Sequence, residues 1–347
     1  MTKSFERLAL TVAVSCFLAP AASAQIGLMP MPADVDFQAG VEAALKGLQA
    51  PIKTQKVLAR KATPVNQAIE LVKADLRRTY AKHPNAEVVP ESYIDQIFDG
   101  RYAMLYPNIP KIYAERKKQR DRLEELRKNS LTGKAPSNYD AYRKQFITEK
   151  NIAKGVAFAR THRALLDAVK ARYHVDGALL VALVSRETRY GADVGSYRVF
   201  DALYTIILNV PEAKWIKFAV HEEAEFIRMA YGQKMGVHAA HAVLGTYDGG
   251  MGFVQFEPSS FNAYAVDFDY DGKKRLNEWP DALGSAANYL SERGYDPAAK
   301  FTPDSAIGRS LLAYNPFSNY VRAILEMRNE IHRRLSPKKT PAARAAR

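Results

Sequence analysis

The stretch ALLVALVSRETRYG, residues 178–191, decides how this chain is read. Leu179 to Val184 would be apolar on nearly every side of a helix, so the segment is expected at the centre of a core. Asp176 stands ready as its N-cap and Gly191 as its stop. Glu187 sits between Arg186 and Thr188 at the end of the run. A carboxyl carried there loses hydration, which disfavours its charged form and raises its pKa. Such a group suits general-acid chemistry near neutral pH. The same position also suits a partly exposed glutamate ion-paired with Arg186 or Arg189, and this stretch alone does not choose between them.

Outward from this stretch the pattern is helical. Residues 66–83, 149–175, 214–233, 280–295 and 319–335 carry apolar residues at helical spacing. Residues 111–129, KIYAERKKQRDRLEELRKN, form a very polar helix, expected on the surface and held by ion pairs one turn apart. Strand signals are few and no repeat is apparent, so the fold class is mainly α. SLTGKAPSNYD, 130–140, reads as a linker between a helical N-terminal region (37–130) and a second domain (140–335).

The 347 residues are 47% apolar and 25% charged, as in ordinary soluble proteins. Lys3 and Arg7, the apolar run LALTVAVSCFLAP and ASA at 22–24 read as a signal peptide cleaved after Ala24. A periplasmic protein is expected; a lipoprotein anchored through Cys16 is the lesser alternative. Cys16 is the only cysteine, so cleavage after Ala24 leaves no thiol and no disulfide. Residues 25–36 read as a flexible lead-in. The formal net charge is +13, and Arg333–Arg347 holds six basic residues and no acidic one. The tail, 336–347, reads as disordered and solvated, or as touching an anionic surface. An exported chain with no binding motif is not expected to meet nucleic acid.

Three further stretches carry chemistry. GTYDGGMGFVQFEPSS, 245–260, offers a glycine-rich turn with Asp248 in it, neutral polar groups at Thr246 and Gln255, and flat faces at Tyr247, Phe253 and Phe256. Neutral donors beside aromatics suit a carbohydrate; a plain glycine-rich connector is the alternative. DFDYDGKKRLNE, 267–278, fits the D-x-D-x-D-G-x5-E calcium loop. Asp267, Asp269, Asp271, the Lys273 carbonyl and a closing Glu278 would be the ligands, with Asp281 competing for the last place. An acidic turn balanced by Lys273, Lys274 and Arg275 is the alternative. AYNPFSNYVRAI, 313–324, reads by itself as a turn before a helix. HEEAE (221–225) lacks the second histidine of a zinc protease, and HAAH (238–241) has no obvious further ligand.

These pieces, in this order, resemble the membrane-bound lytic transglycosylase B family of murein-cleaving enzymes. The likeness runs through residues 141–169, 179–203, 245–272 and 313–325, and spans more than half the chain. It implies a lysozyme-like catalytic domain and a single catalytic acid, Glu187. It places Thr246 where the family usually has a serine beside the sugar, and Gln255 as the groove glutamine. Tyr314, Asn315 and Tyr320 match its late active-site motif, and Tyr142 an upstream groove tyrosine. It implies structural calcium, with a last ligand more like Asp281 than Glu278, and no organic cofactor.

The activity so implied is cleavage of the MurNAc–GlcNAc β-1,4 bond of peptidoglycan with 1,6-anhydro-MurNAc ends. A non-catalytic peptidoglycan-binding protein that keeps the fold is the rival expectation, and a calcium sensor a weaker one. A monomer is expected, with cell-wall synthesis or divisome proteins as partners of the N-terminal region. Three departures stand out. Arg186 replaces the small or apolar residue usual before the catalytic glutamate. Glu212 and Ala213 stand where relatives often carry basic residues. Asp248 replaces a small residue in the glycine-rich turn.

Overall fold

A computed structural model describes residues 64–128 and 139–336. The signal peptide, the lead-in, the start of the N-terminal region, most of the linker and all of the tail after Ser336 lie outside the described residues. In chain order the elements are α1 (Pro64–Lys82), α2 (Glu91–Ile97), α3 (Ile109–Lys128), α4 (Tyr139–Phe146), α5 (Glu149–Thr161), α6 (Arg163–Tyr173) and α7 (Gly177–Thr188). There follow β1 (Tyr197–Arg198), α8 (Val199–Asn209), α9 (Ala213–Gly232), α10 (Val237–His241), β2 (Leu244–Gly245) and α11 (Pro258–Tyr264). The last three are α12 (Trp279–Glu292), α13 (Ala306–Tyr314) and α14 (Ser318–Leu335). The mainly helical class is observed; β1 and β2 pair antiparallel over two residues each.

The described chain forms two compact units, one of residues 64–128 and 194–264, the other of residues 139–193 and 265–336. Residues 194–264 pack with the N-terminal helices in the first unit. In this first unit the organising element is α8, with all eleven residues buried. Phe200 meets Phe98 at 5.2 Å and Phe226 at 6.1 Å between ring centroids. The polar helix α3 carries i,i+4 pairs Lys117–Asp121 and Glu124–Lys128 on its wet side. Its other face buries Ile109, Tyr113 and Arg116, spaced by four and three residues.

The second unit is built round α7, whose residues Leu179 to Val184 are completely buried. Asp176 caps it by accepting from the Leu179 amide at 2.9 Å, and Arg328 of α14 grips the same carboxylate. The helix ends earlier than Gly191: Thr188 is its last residue and Arg189 its left-handed C-cap. The single helix expected over 149–175 is two, broken at His162, whose ring packs 4.4 Å from Phe158 and 5.6 Å from Trp279.

Candidate active site

Glu187 lies on the last turn of α7, and Tyr320 on the first turn of α14. Tyr320 is 1% exposed and its hydroxyl donates to Glu187 Oε1 at 2.5 Å. Burial pushes the Glu187 pKa above the ordinary carboxylate range. The Arg186 charge and the Tyr320 hydrogen bond pull the other way without cancelling it. Tyr320 is pushed well above the usual phenol range, by burial first and the Glu187 charge second, so it stays protonated and keeps donating.

Arg186 donates from Nε to the Tyr142 hydroxyl at 2.6 Å, with its guanidinium 5.4 Å from the Tyr142 ring centre. Tyr142 is held in turn by a small core of Tyr139 and Ala323, against which Phe146 and Phe317 pack. The cation beside the candidate acid is thus anchored to an aromatic ring from α4.

The backbone beyond Glu187 is wound tightly. Arg189, Tyr190 and Gly191 follow one another at φ 51°, 62° and 80°. Two successive non-glycine residues in the left-handed region are costly and persist only when their surroundings hold them. Thr188 Oγ1 accepts from the Gly191 amide at 3.0 Å, and the Tyr190 hydroxyl donates to the Asn151 carbonyl at 2.8 Å. Such strain clusters at functional sites. Tyr314 packs edge-on to Tyr289 at 4.9 Å. Asn315 closes α13, and its Oδ1 is buried with no hydrogen-bond donor among the described residues.

Thr246 and Gln255 belong to the other unit, where they flank one glycine-rich turn. Thr246 N donates to Gly250 O at 2.9 Å, and Gly250 N donates to Thr246 Oγ1 at 2.9 Å. A Cβ on Gly250 would stand 2.8 Å from Thr246 Oγ1 and 3.2 Å from Gln255 Oε1, so only glycine fits. Gln255 itself has φ 53°, and its Nε2 donates to Gly252 O at 2.9 Å. Sequence reasoning did not assign Arg116, which stands 3.6 Å from Asp248 at the tip of this turn. Its signal was an arginine in register with Ile109 and Tyr113 on the dry face of a polar helix.

In the acidic loop, oxygens of Asp267, Asp269 and Asp281 lie within 4.8 Å of one another. Ligands at 2.3–2.6 Å from one ion stand at most about 5 Å apart, so the three fit a calcium-sized cation. Asp271 and Glu278 stand outside that group. Both are drawn to Arg275, Asp271 in a close ion pair and Glu278 at 3.5 Å. Asp281 is 1% exposed and accepts from the Phe268 and Arg275 amides, which aims it into the loop. Among the described residues no other such group of ligands occurs. His221 instead pairs with Asp75 at 3.0 Å, and His241 lies between Asp201 and the Ile97 carbonyl.

The family described as Transglycosylase SLT domain matches residues 107–314. The chain belongs to this family. Among transglycosylases it is 31% identical, over 222 residues, to the membrane-bound lytic murein transglycosylase B of Escherichia coli. That alignment covers 62% of this chain and 59% of the relative, so the chain spans less than two thirds of that protein's length. The transglycosylase fold is shared with the soluble lytic transglycosylase SltB1 of Pseudomonas aeruginosa. The TM-score is 0.61 at 23% identity, covering 78% of this chain and 99% of that one. It is shared as well with the Escherichia coli lytic transglycosylase Slt35, solved in complex with calcium. There the TM-score is 0.58 at 20% identity, covering 77% and 94%.

Proposed function

We propose that this SLT-family chain is a lytic transglycosylase that cleaves the MurNAc–GlcNAc β-1,4 bond of peptidoglycan. The observation that carries the reading is Glu187, desolvated at a helix end and held through Oε1 by Tyr320. Tyr320 occupies one oxygen and leaves Oε2 to carry the proton. Glu187 gives that proton to the glycosidic oxygen as the bond to the MurNAc C1 breaks. The carboxylate then takes the proton of the MurNAc C6 hydroxyl, whose oxygen closes on C1. The products are a free GlcNAc 4-hydroxyl and a 1,6-anhydro-MurNAc end, and no water is consumed. One carboxylate serves as acid and then as base, in contrast to the usual glycosidase pair.

Tyr142 acts by holding Arg186, and Tyr314 and Asn315 contact the sugar at the end of α13. Thr246 and Gln255 are the glycan-contacting residues of their own unit. Asp267, Asp269 and Asp281 would hold calcium, with the Lys273 carbonyl, and the ion would stiffen the loop before α12. The solved Slt35–calcium complex supports that assignment. Asp271 and Glu278 are kept by Arg275 for ion pairing. The name of the Escherichia coli relative supports murein as substrate and export to the periplasm as the route. Among the described residues no helix is long and apolar enough to cross a membrane. The chain works as a monomer, and its N-terminal region meets cell-wall synthesis or divisome proteins.

Purified murein treated with the wild type and with Glu187→Gln tests the reading. The wild type releases soluble 1,6-anhydromuropeptides, and Glu187→Gln releases none. Wild type that pellets with murein and releases nothing soluble would point to a wall-binding protein instead.

A further inference from the structure

Asp248 stands at the tip of the glycine-rich turn, where the resemblance leads one to expect a small residue. The turn is closed by Thr246 N to Gly250 O and by Gly249 N to Thr246 O, at 2.9 and 3.1 Å. Gly249, Gly250 and Gly252 give it little side-chain packing of its own, and glycine loses more freedom on ordering than any other residue. Something outside the turn has to fix it.

That anchor comes from α3. Arg116 is 8% exposed. Its NH1 lies 3.6 Å from Asp248 Oδ2, and its guanidinium sits 4.7 Å from the Tyr247 ring centre and 5.6 Å from that of Tyr113. Tyr113 stands 6.2 Å from Tyr247 and 4.9 Å from Trp215. One arginine therefore engages two consecutive residues of the turn, Tyr247 by its π face and Asp248 by charge. Arg116 NH2 is buried with no hydrogen-bond acceptor among the described residues, and Asp248 is the carboxylate within ion-pair distance of this guanidinium there. Losing it would leave a buried unpaired cation.

We propose that Arg116 and Asp248 form a positioning pair that locks the Thr246–Gly250 turn, and with it Thr246 and Gln255, in the shape that contacts glycan. The proposal rests on the glycan-contact reading of those two residues. It gives the N-terminal region a role in substrate binding, and it turns the Asp248 departure from a defect into half of a pair separated by 132 positions.

The test uses the full chain in a Glu187→Gln background, a soluble peptide-free murein glycan fragment, calorimetry and amide hydrogen exchange. Arg116→Met and Asp248→Asn each weaken glycan binding about tenfold and speed exchange at Gly249 and Gly250, at temperatures well below their Tm. Arg116→Lys recovers part of the loss, which a purely structural defect in α3 would not predict. The double variant binds no worse than the weaker single variant, as expected of one unit. Binding within twofold of the parent, unchanged exchange at Gly249 and Gly250, or additive losses in the double variant each overturn the pair. Exchange needs no cleavage, so a wild type that binds glycan without cutting it removes the transglycosylase reading and leaves the pair standing. A wild type that binds no glycan removes both.

Discussion

Replacing Tyr320 by Phe isolates the hydroxyl that donates to Glu187 Oε1 at 2.5 Å. A hydrogen bond to a charged partner contributes about 1.5–3 kcal/mol, and one between neutral groups about 1 kcal/mol. The neutral carboxyl also accepts from Tyr320, so only the difference, about 1 kcal/mol, favours the carboxylate over the acid. At roughly 1.4 kcal/mol per tenfold, the variant lowers the acid's ionisation constant by a factor of about five. Burial already holds the Glu187 pKa up, and removing the donor raises it further. The acid must be protonated to start the reaction, so the alkaline limb of kcat/KM sets with its ionisation. In Tyr320→Phe that limb therefore moves to higher pH, while kcat falls because the carboxylate of the second step has lost its donor. The assay is release of 1,6-anhydromuropeptides from murein, or turnover of a soluble glycan fragment, at closely spaced pH. An alkaline limb that stays in place or moves down would refute this: either Glu187 is not the titrating acid, or Tyr320 serves its protonated form.

Other perturbations follow from the same physics. Glu223 on α9 is 0% exposed, and neither carboxylate oxygen finds a hydrogen-bond partner among the described residues. Burial first and the Asp201 charge second hold its pKa well above the ordinary value. As pH rises from the ordinary carboxylate range towards that raised value, the unfolded state has released this proton and the native state has not, so stability falls. Urea unfolding at pH 5 and pH 8 should show Glu223→Leu gaining about 1–3 kcal/mol on the wild type at the higher pH and less at the lower. An equal effect at both values would show that Glu223 does not titrate there. Glu187→Gln should likewise be more stable than the wild type at neutral pH, by about 2–4 °C in Tm, while losing all cleavage. Calcium at about 100 times its Kd should stabilise the wild type by about 2.7 kcal/mol, read as a Tm that drops on chelation. In Asp281→Asn the chelator should change nothing; an undiminished calcium effect there would move the ion elsewhere.

What the sequence disclosed and what it withheld divide along a physical line. The centre of the second unit was legible because α7 is apolar all round and capped by Asp176, features confined to a dozen consecutive residues. Glu187 was legible as an oddity in that run. The orientation of Arg186 was not, since it depends on a tyrosine 44 positions earlier that reaches it only when α4 packs on α14. The stop at Thr188 was hidden for the opposite reason. Local preference favours Gly191 for a left-handed cap, and Gly191 is left-handed, but Arg189 and Tyr190 enter that region before it, held by the local Gly191–Thr188 bond and the tertiary bond from the Tyr190 hydroxyl to Asn151. In the acidic loop the motif marked a candidate cation site, but that Asp271 and Glu278 stand apart from Asp267, Asp269 and Asp281 required knowing that Arg275 folds back on them. The unit boundary shows the same limit: the linker composition marked a break near residue 130, and nothing local marks residues 194–264 as companions of α1 to α3. Arg116 and Asp248 are the sharpest instance. Read separately, one is an ordinary surface-helix arginine and the other weakens the family resemblance. Only their approach in the fold gives Asp248 a charged partner, so an unexpected residue at a candidate site is best judged after its partners have been sought on distant elements.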